Sequence, residues 1–507
     1  MPLSIISIAK NSIKFTSIKT IGALAGLGVT LYAAVILLPE EYGTYGLLSL
    51  WLTYVLLVAP GIYSAASREM PVLLGKGQEK DALRVQNISI SAELLYTIVP
   101  TAVIIGVAFS YTDAVMRTGL LIVSMSYVAS RISGIWSQMN FTRERFNTVA
   151  VGNIIIAVVA PAVTLVSLHW LKVYALIIGP LVSYIVLLVY YLTRGSIGFR
   201  FTLDRHEIIR LVKIGIVLQG LVIVLMAFRM ADRTIIASML PLDQLGLYVF
   251  AIGFLGYGLS LFEDFARVLQ PVLWRHAGTA ESVIKGFKDT RRIAVYVALG
   301  TAIIIPLAQL AFTLTATLLT KKYVASIPVF NVISYNLYLT AIAIIPTLIL
   351  SSSLVNKQKL PLIFYVIGLA MSISLDLLVV RIGYGIIGIA WVTIGTQGLV
   401  TLILYYLIKK YISDTAAEFR KLVTIIVIPF LGCLPFYFIH VYLYPAIASL
   451  WVFTGISLAA QALVWAIVIG LFYRDYVSTT EFRLIKQEIR AAIPRSRPDN
   501  SDLTGLG

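Results

Sequence analysis

The sequence predicts an all-α polytopic membrane protein of about fourteen transmembrane helices. Three observations carry this. Hydrophobic residues make up 59% of the 507 positions and charged residues only 13%, whereas soluble domains carry roughly 25% charged residues. The apolar residues fall into an almost unbroken series of runs, each near the roughly 20 residues that a spanning helix needs. One segment then recurs. Leu38-Pro39-Glu40-Glu41-Tyr42-Gly43-Thr44-Tyr45, an apolar run and Pro71-Val72-Leu73 return as Leu240-Pro241-Leu242-Asp243-Gln244-Leu245-Gly246-Leu247-Tyr248, an apolar run and Pro271-Val272-Leu273. Gly43 maps to Gly246 and Tyr45 to Tyr248 at a constant offset of 203 residues. Two related bundles in one membrane chain are a common build of transporters that rock one half against the other.

The spans follow in order, near 17–38, 43–66, 86–110, 114–137, 149–169 and 173–193. A basic connector comes next, then 211–238, 244–264, 293–319, 328–350, 361–380 and 386–408, and finally 421–440 and 446–472. Basic residues fill alternate loops. Arg68, Lys76, Lys80 and Arg84 follow the second span, and Arg143 and Arg145 the fourth. Arg194, Arg200, Arg205 and Arg210 follow the sixth. The intervening loops hold only Arg117, Lys172, Lys321, Lys322 and Arg381. By the positive-inside rule both termini are expected to be cytoplasmic, and the even number of spans agrees. The net charge of +16 belongs to this pattern, so no nucleic-acid partner is expected. Six spans separate the copies, so the repeat is parallel, with its axis along the membrane normal.

The expected organisation is a first six-helix lobe over 1–200, a second over 201–410, two additional helices over 411–475 and a cytoplasmic tail over 476–507. The connector section Leu203–Arg210 mixes charges with apolar residues at helical spacing and is expected to lie along the inner membrane surface. Lys10, Lys14 and Lys19 lead into the first span with no small-residue cleavage site, so no cleaved signal peptide is expected. Cys433, the single cysteine, reads as a small core residue.

No phosphate-binding Gly-Lys-Ser/Thr loop, metal motif or nucleophilic triad is present in the sequence, so catalysis and resident cofactors are not expected. The four histidines stand alone and read as interfacial. The informative residues are charges inside spans, each costing roughly 2.5–3.5 kcal/mol to insert and therefore tending to face a cavity or a partner. Arg229, Asp232 and Arg233 share one face of span seven at i, i+3 and i+4. Pairing of Arg229 with Asp232 leaves Arg233 as a net positive charge. Arg131 lies in span four, with no carboxylate partner obvious in the sequence. Lys19 and Glu93 lie about two turns inside spans one and three, and Asp376 stands near Arg381 in span eleven. The functional reading places Arg131, Arg229, Arg233 and Lys19 around a cationic cavity for a phosphate-bearing head group. Asp232, Glu93 and Asp376 are candidates for ion coupling or for charge pairing. Tyr45 and Tyr248 read as interfacial belt residues. Proline at 60, 100, 161, 180, 306 and 346 offers bending points.

Several short motifs, in this order and spacing, resemble the polysaccharide-transport branch of the multidrug/oligosaccharidyl-lipid/polysaccharide exporter superfamily. They are the Leu38–Tyr45 turn; Asp232-Arg233 followed by Gly246-Leu247-Tyr248; and Lys322-Tyr323-Val324-Ala325-Ser326-Ile327-Pro328, followed by Asn356-Lys357-Gln358-Lys359 and Tyr384-Gly385-Ile386-Ile387-Gly388-Ile389-Ala390. The resemblance covers roughly residues 10–410. It implies two lobes in a V-shaped arrangement in the bacterial inner membrane. It implies a flippase for undecaprenyl-diphosphate-linked oligosaccharides of O-antigen, capsule or exopolysaccharide, coupled to H⁺, Na⁺ or the membrane potential, with a polysaccharide polymerase as a possible partner. The two additional helices depart from the family's twelve spans and match the fourteen of lipid II flippases, one alternative reading. A cation-coupled multidrug exporter is the other, and its drug-binding cavity would be acidic.

Overall fold

The computed structural model describes residues 22–195, 197–279, 290–352, 354–447 and 449–473. All regular structure among them is helical. The first half comprises α1 (Gly22–Ile36), α2 (Pro39–Leu57), α3 (Ile62–Gly75), α4 (Glu79–Ser110), α5 (Ala114–Thr142), α6 (Phe146–Leu171) and α7 (Ala175–Thr193). The second comprises α8 (Arg205–Met239), α9 (Leu242–Thr279), α10 (Thr290–Leu318), α11 (Ile327–Ile333), α12 (Tyr335–Ser351), α13 (Lys359–Ile382) and α14 (Gly385–Ile412). Two further helices follow, α15 (Ala416–Phe438) and α16 (Leu450–Phe472).

Local chemistry sets many of the helix ends. Pro39 opens α2, where Glu41 accepts from the Leu38 amide at 2.9 Å. Asp113 caps α5 through the amides of Val115 and Met116, and Thr415 caps α15 through that of Glu418. Each cap satisfies amides that have no partner inside their own helix.

Ten helical stretches among the described residues are long and apolar enough to cross a membrane, or eleven if the bent pair α2–α3 forms one span. This count differs from the fourteen expected, for identifiable reasons. One of the ten, Phe146–Thr193, contains both α6 and α7, which pack on each other across the short turn Lys172–Tyr174. The described part of α1 is too short to qualify, and α8 carries charges within its apolar stretch.

The connector also differs from expectation. Arg205–Arg210 is the first part of the 35-residue helix α8, capped by Asp204, rather than a separate surface helix. The residues before it run along α4. The Arg200 amide donates to Asn87 Oδ1 at 3.1 Å, the Thr202 amide to Ser91 Oγ at 2.9 Å, and Gln86 Nε2 to the Gly198 carbonyl at 2.8 Å.

The two copies of the repeated turn meet each other where α2 crosses α9. A Cβ on Gly43 would fall 1.8 Å from the Leu242 carbonyl oxygen, and one on Gly246 would fall 1.7 Å from that of Pro39. Position 242 corresponds to 39, and 246 to 43, so the contact is reciprocal. Only glycine permits main chains to approach this closely. Beside the crossing, Lys322 Nζ reaches the carbonyls of Val35 and Ile36, both at 3.2 Å, and the Tyr323 hydroxyl donates to that of Leu37 at 3.3 Å. The Lys322-Tyr323 motif thus caps the carbonyl end of α1, where a cation is favoured.

The main core fills the second half. Phe250, Phe312 and Phe330 form its centre, the last two stacked at 4.0 Å. α15 and α16 dock on α10. Cys433 is fully buried there, as the sequence suggested, with its Sγ 3.2 Å from the Ala302 carbonyl. His440, read as interfacial, is instead 2% exposed, its Nδ1 3.3 Å from the Thr313 hydroxyl.

Candidate functional site

α8 carries the site. Residues 229, 232 and 233 project from one side of it because they lie within one helical turn. Arg229 and Arg233 line a cavity of about 400 Å³, bounded by α8, α9, α12, α13 and α14, with Thr53 of α2 on its wall. Arg229 is exposed to this space and Arg233 partly so. Asp232 also lines the cavity, although it is only 4% exposed. The expected Arg229–Asp232 pairing is replaced by a different set of partners. Tyr248 of α9 donates its hydroxyl to Asp232 Oδ2 at 2.7 Å, and Arg233 supplies its backbone amide at 2.6 Å and Nε at 3.8 Å. Arg233 Nη2 also bonds the Arg229 carbonyl at 2.9 Å. Tyr248 is therefore not a belt residue. It is fully buried because the carboxylate it holds is buried.

Asp376 of α13, expected near Arg381, is fully buried. Its Oδ2 accepts from Ser372 at 3.2 Å, while Oδ1 is buried without a hydrogen-bond partner. Asp232 and Tyr248 thus form a hydrogen-bonded pair at the cavity wall.

Arg131 does not join this cavity. It forms an ion pair with Glu93, and the side chains are 17% and 2% exposed respectively. The sequence hid this partner because it lies 38 residues away on another helix. Lys19 lies outside the described residues.

Charge-based reading also missed the neutral part of the lining. Asn336 and Thr340 of α12 and Thr393 and Gln397 of α14 line the cavity with Tyr365 of α13. Each of the first two pairs is spaced i, i+4, so a polar couple repeating within an apolar span was the available signal. Amide and hydroxyl groups of this kind donate to and accept from sugar hydroxyls. Among the described residues the wall therefore combines two guanidinium groups and one buried carboxylate with neutral hydrogen-bonding groups, a composition suited to an anion attached to a polyol. Among the described residues no cluster of three or more His, Cys, Asp or Glu side chains could hold a metal ion.

No curated protein sequence matches the chain. Among solved structures it is similar to the lipid II flippase MurJ in an inward closed conformation, with a TM-score of 0.67 and 16% identity over 92% of this chain and 100% of that one. It is also similar to an inward-facing multidrug resistance MATE family transporter of the MOP superfamily, with a TM-score of 0.57 and 12% identity over 78% and 97%. A MOP superfamily transporter from Pyrococcus furiosus, described as having a binding pocket of reverse polarity, gives 0.54 and 14% over 79% and 94%. Likeness at these identities establishes the fold, that of membrane transporters and flippases. The sequence profile of the family described as polysaccharide biosynthesis protein matches residues 33–328, more than half of the chain. A multi-pass helical chain with this fold and this match belongs to the polysaccharide biosynthesis protein family.

Proposed function

We propose that the chain is a flippase that carries polyprenyl-diphosphate-linked oligosaccharides from the inner to the outer leaflet of a bacterial inner membrane, for O-antigen, capsule or exopolysaccharide synthesis. In this reading residues 1–200 and 201–410 are two six-helix lobes that give alternating access, and both termini are cytoplasmic. The observation that carries the proposal is the cavity wall. Arg229 and Arg233 line the space, and Asp232, the carboxylate among the described lining residues, is 4% exposed and engaged by both Tyr248 and Arg233. Such a wall favours a diphosphate and disfavours a cationic drug, which is the argument against the multidrug reading. A cavity of about 400 Å³ holds a diphosphate with a sugar or two, not a whole repeat unit. Carriage of the full head group therefore requires the halves to separate.

Coupling to a proton or Na⁺ belongs, in this proposal, to Asp232 and Asp376. Both carboxylates are buried and one oxygen of Asp376 has no hydrogen-bond partner, so they supply the hard oxygen donors that either cation prefers.

Reconstitution in liposomes with an undecaprenyl-diphosphate oligosaccharide tests the reading. Arg233→Ala and Arg229→Ala each lose a charge-assisted contact and are expected to slow flipping by about ten- to hundred-fold. Wild-type rates in both variants would sink the cationic-wall proposal. Asp376→Asn is expected to abolish any response of the rate to an imposed proton or Na⁺ gradient, and a full response in that variant excludes this placement of the coupling site.

A further inference from the structure

Span two is broken. α2 ends at Leu57 and α3 starts at Ile62, with the axes bent by 49°. Between them lie Val58, Ala59, Pro60 and Gly61, where Pro60 has no amide hydrogen and Gly61 adopts a φ of +73°. A break within a span leaves carbonyls of one half-helix and amides of the other without partners, and the bilayer interior has no water to satisfy them.

α4 supplies the partners. The Tyr96 hydroxyl donates to the Val58 carbonyl at the end of α2. Glu93 Oε1 accepts from the Tyr63 amide in the first turn of α3 at 3.2 Å. Glu93 and Tyr96 lie three residues apart, so one face of α4 bridges the gap. A carboxylate suits the N-terminus of α3, but a buried carboxylate needs a counter-charge. Arg131 of α5 provides it at Glu93 Oε2. On its other side the break touches the second half of the chain main chain to main chain. A Cβ on Gly61 would lie 2.4 Å from the carbonyl carbon of Gly215, and one on Gly215 would lie 2.0 Å from the Gly61 carbonyl oxygen.

We propose that Val58–Gly61 is a hinge in span two, that Glu93 and Tyr96 clamp it, and that Arg131 is a positioning residue for this clamp rather than a ligand of the substrate. α3 can swing against α2 without tearing a continuous helical ladder, because the ladder is already interrupted. The bonds exchanged in such a swing are those to Glu93 and Tyr96. The contact with Gly215 places the hinge where a movement of α8 bears directly on it. This assignment builds on the flippase reading only for its transport arm; the distance arm stands without it.

Two measurements test it. Spin labels at Glu40→Cys and Val72→Cys, in a Cys433→Ala background, report the distance across the break. Arg131→Gln and Tyr96→Phe are each expected to broaden that distance or shift it by several ångströms, more for Arg131→Gln. Unchanged distributions in both overturn the clamp. In the flipping assay, Arg131→Gln alone is expected to lose at least about ten-fold, because it strands Glu93. The double variant Glu93→Gln/Arg131→Gln removes both charges, keeps a hydrogen-bond acceptor for Tyr63, and is expected to recover to within about three-fold of wild type. If Arg131 binds the substrate, the double variant stays as slow as Arg131→Gln, and the positioning role is overturned. Should wild type not flip the lipid, the flippase reading fails while the distances still decide the hinge.

Discussion

The two halves of this chain share a repeated turn and treat charge in opposite ways. In the first half, Arg131 and Glu93 neutralise each other beneath a broken helix. In the second, two arginines and one buried aspartate line a cavity, and the aspartate is held by Tyr248 and Arg233. The positions that match Arg229, Asp232 and Arg233 at the repeat offset are Gly26, Val29 and Thr30. There Tyr257 of α9 lies against Gly26 and bonds Thr30 at 2.9 Å, so an aromatic ring fills part of the space on that side. A charge inside a span therefore does not mark a binding site by itself. What matters is whether the charge also lines a cavity, as Arg229 and Arg233 do.

The largest test of the comparison is where the halves are alike. Gly43→Ala and Gly246→Ala each push a methyl group into a main-chain carbonyl. Each is expected to destabilise the protein by about 3 kcal/mol, with the two values within about 0.5 kcal/mol of each other. Thermal unfolding in detergent measures this, and a clear inequality would break the reciprocity of the crossing. A smaller effect sharpens the contrast in charge. Tyr248→Phe strips a hydroxyl from the buried Asp232 carboxylate and is expected to cost about 1–3 kcal/mol. Tyr45→Phe, at the matching position but facing no carboxylate at Val29, is expected to stay within about 0.5 kcal/mol of wild type.

The smallest effect concerns a cluster outside the apolar stretch of α8, which begins at Leu211. Arg84 bonds Asp204 at 2.7 Å, and Arg210 reaches Glu69 through two bonds of 2.6 Å and Glu207 at 2.5 and 2.9 Å. Asp204 sits below its ordinary pKa, first because of the Glu207 amide and then because of Arg84. Glu207 is also lowered, chiefly by its hydrogen bond with Arg210. Carboxyls depressed in the folded state stabilise it above their unfolded values near pH 4, and that contribution is lost as the pH falls through the folded values. Thermal stability should hold from pH 7 to about 5 and decline below about 4. In Asp204→Asn the decline should be shallower.

The span pattern was legible because each segment's apolar run is local. Arg205–Arg210 was misread because the start of α8 depends on a cap at Asp204 and on docking to Glu69, 141 residues away. The Glu93–Arg131 pair was illegible for the same reason. Arg229 and Arg233 stood out as charges, whereas Asn336, Thr340, Thr393 and Gln397 did not, because neutral polar residues interrupt an apolar span only weakly. Tyr248 was taken for an interfacial aromatic since nothing in its own neighbourhood names Asp232 as its partner.

The reciprocal approach of Gly43 and Gly246 is self-complementary: each patch meets its own copy. Contacts of that kind close as a pair and do not propagate into filaments. A half-length polypeptide bearing this turn would already hold both sides of the contact and could pair with its twin. Joining the halves in one chain adds nothing at the crossing itself. It does let one copy acquire arginines while the other keeps glycine, valine and threonine, an asymmetry no homodimer can encode.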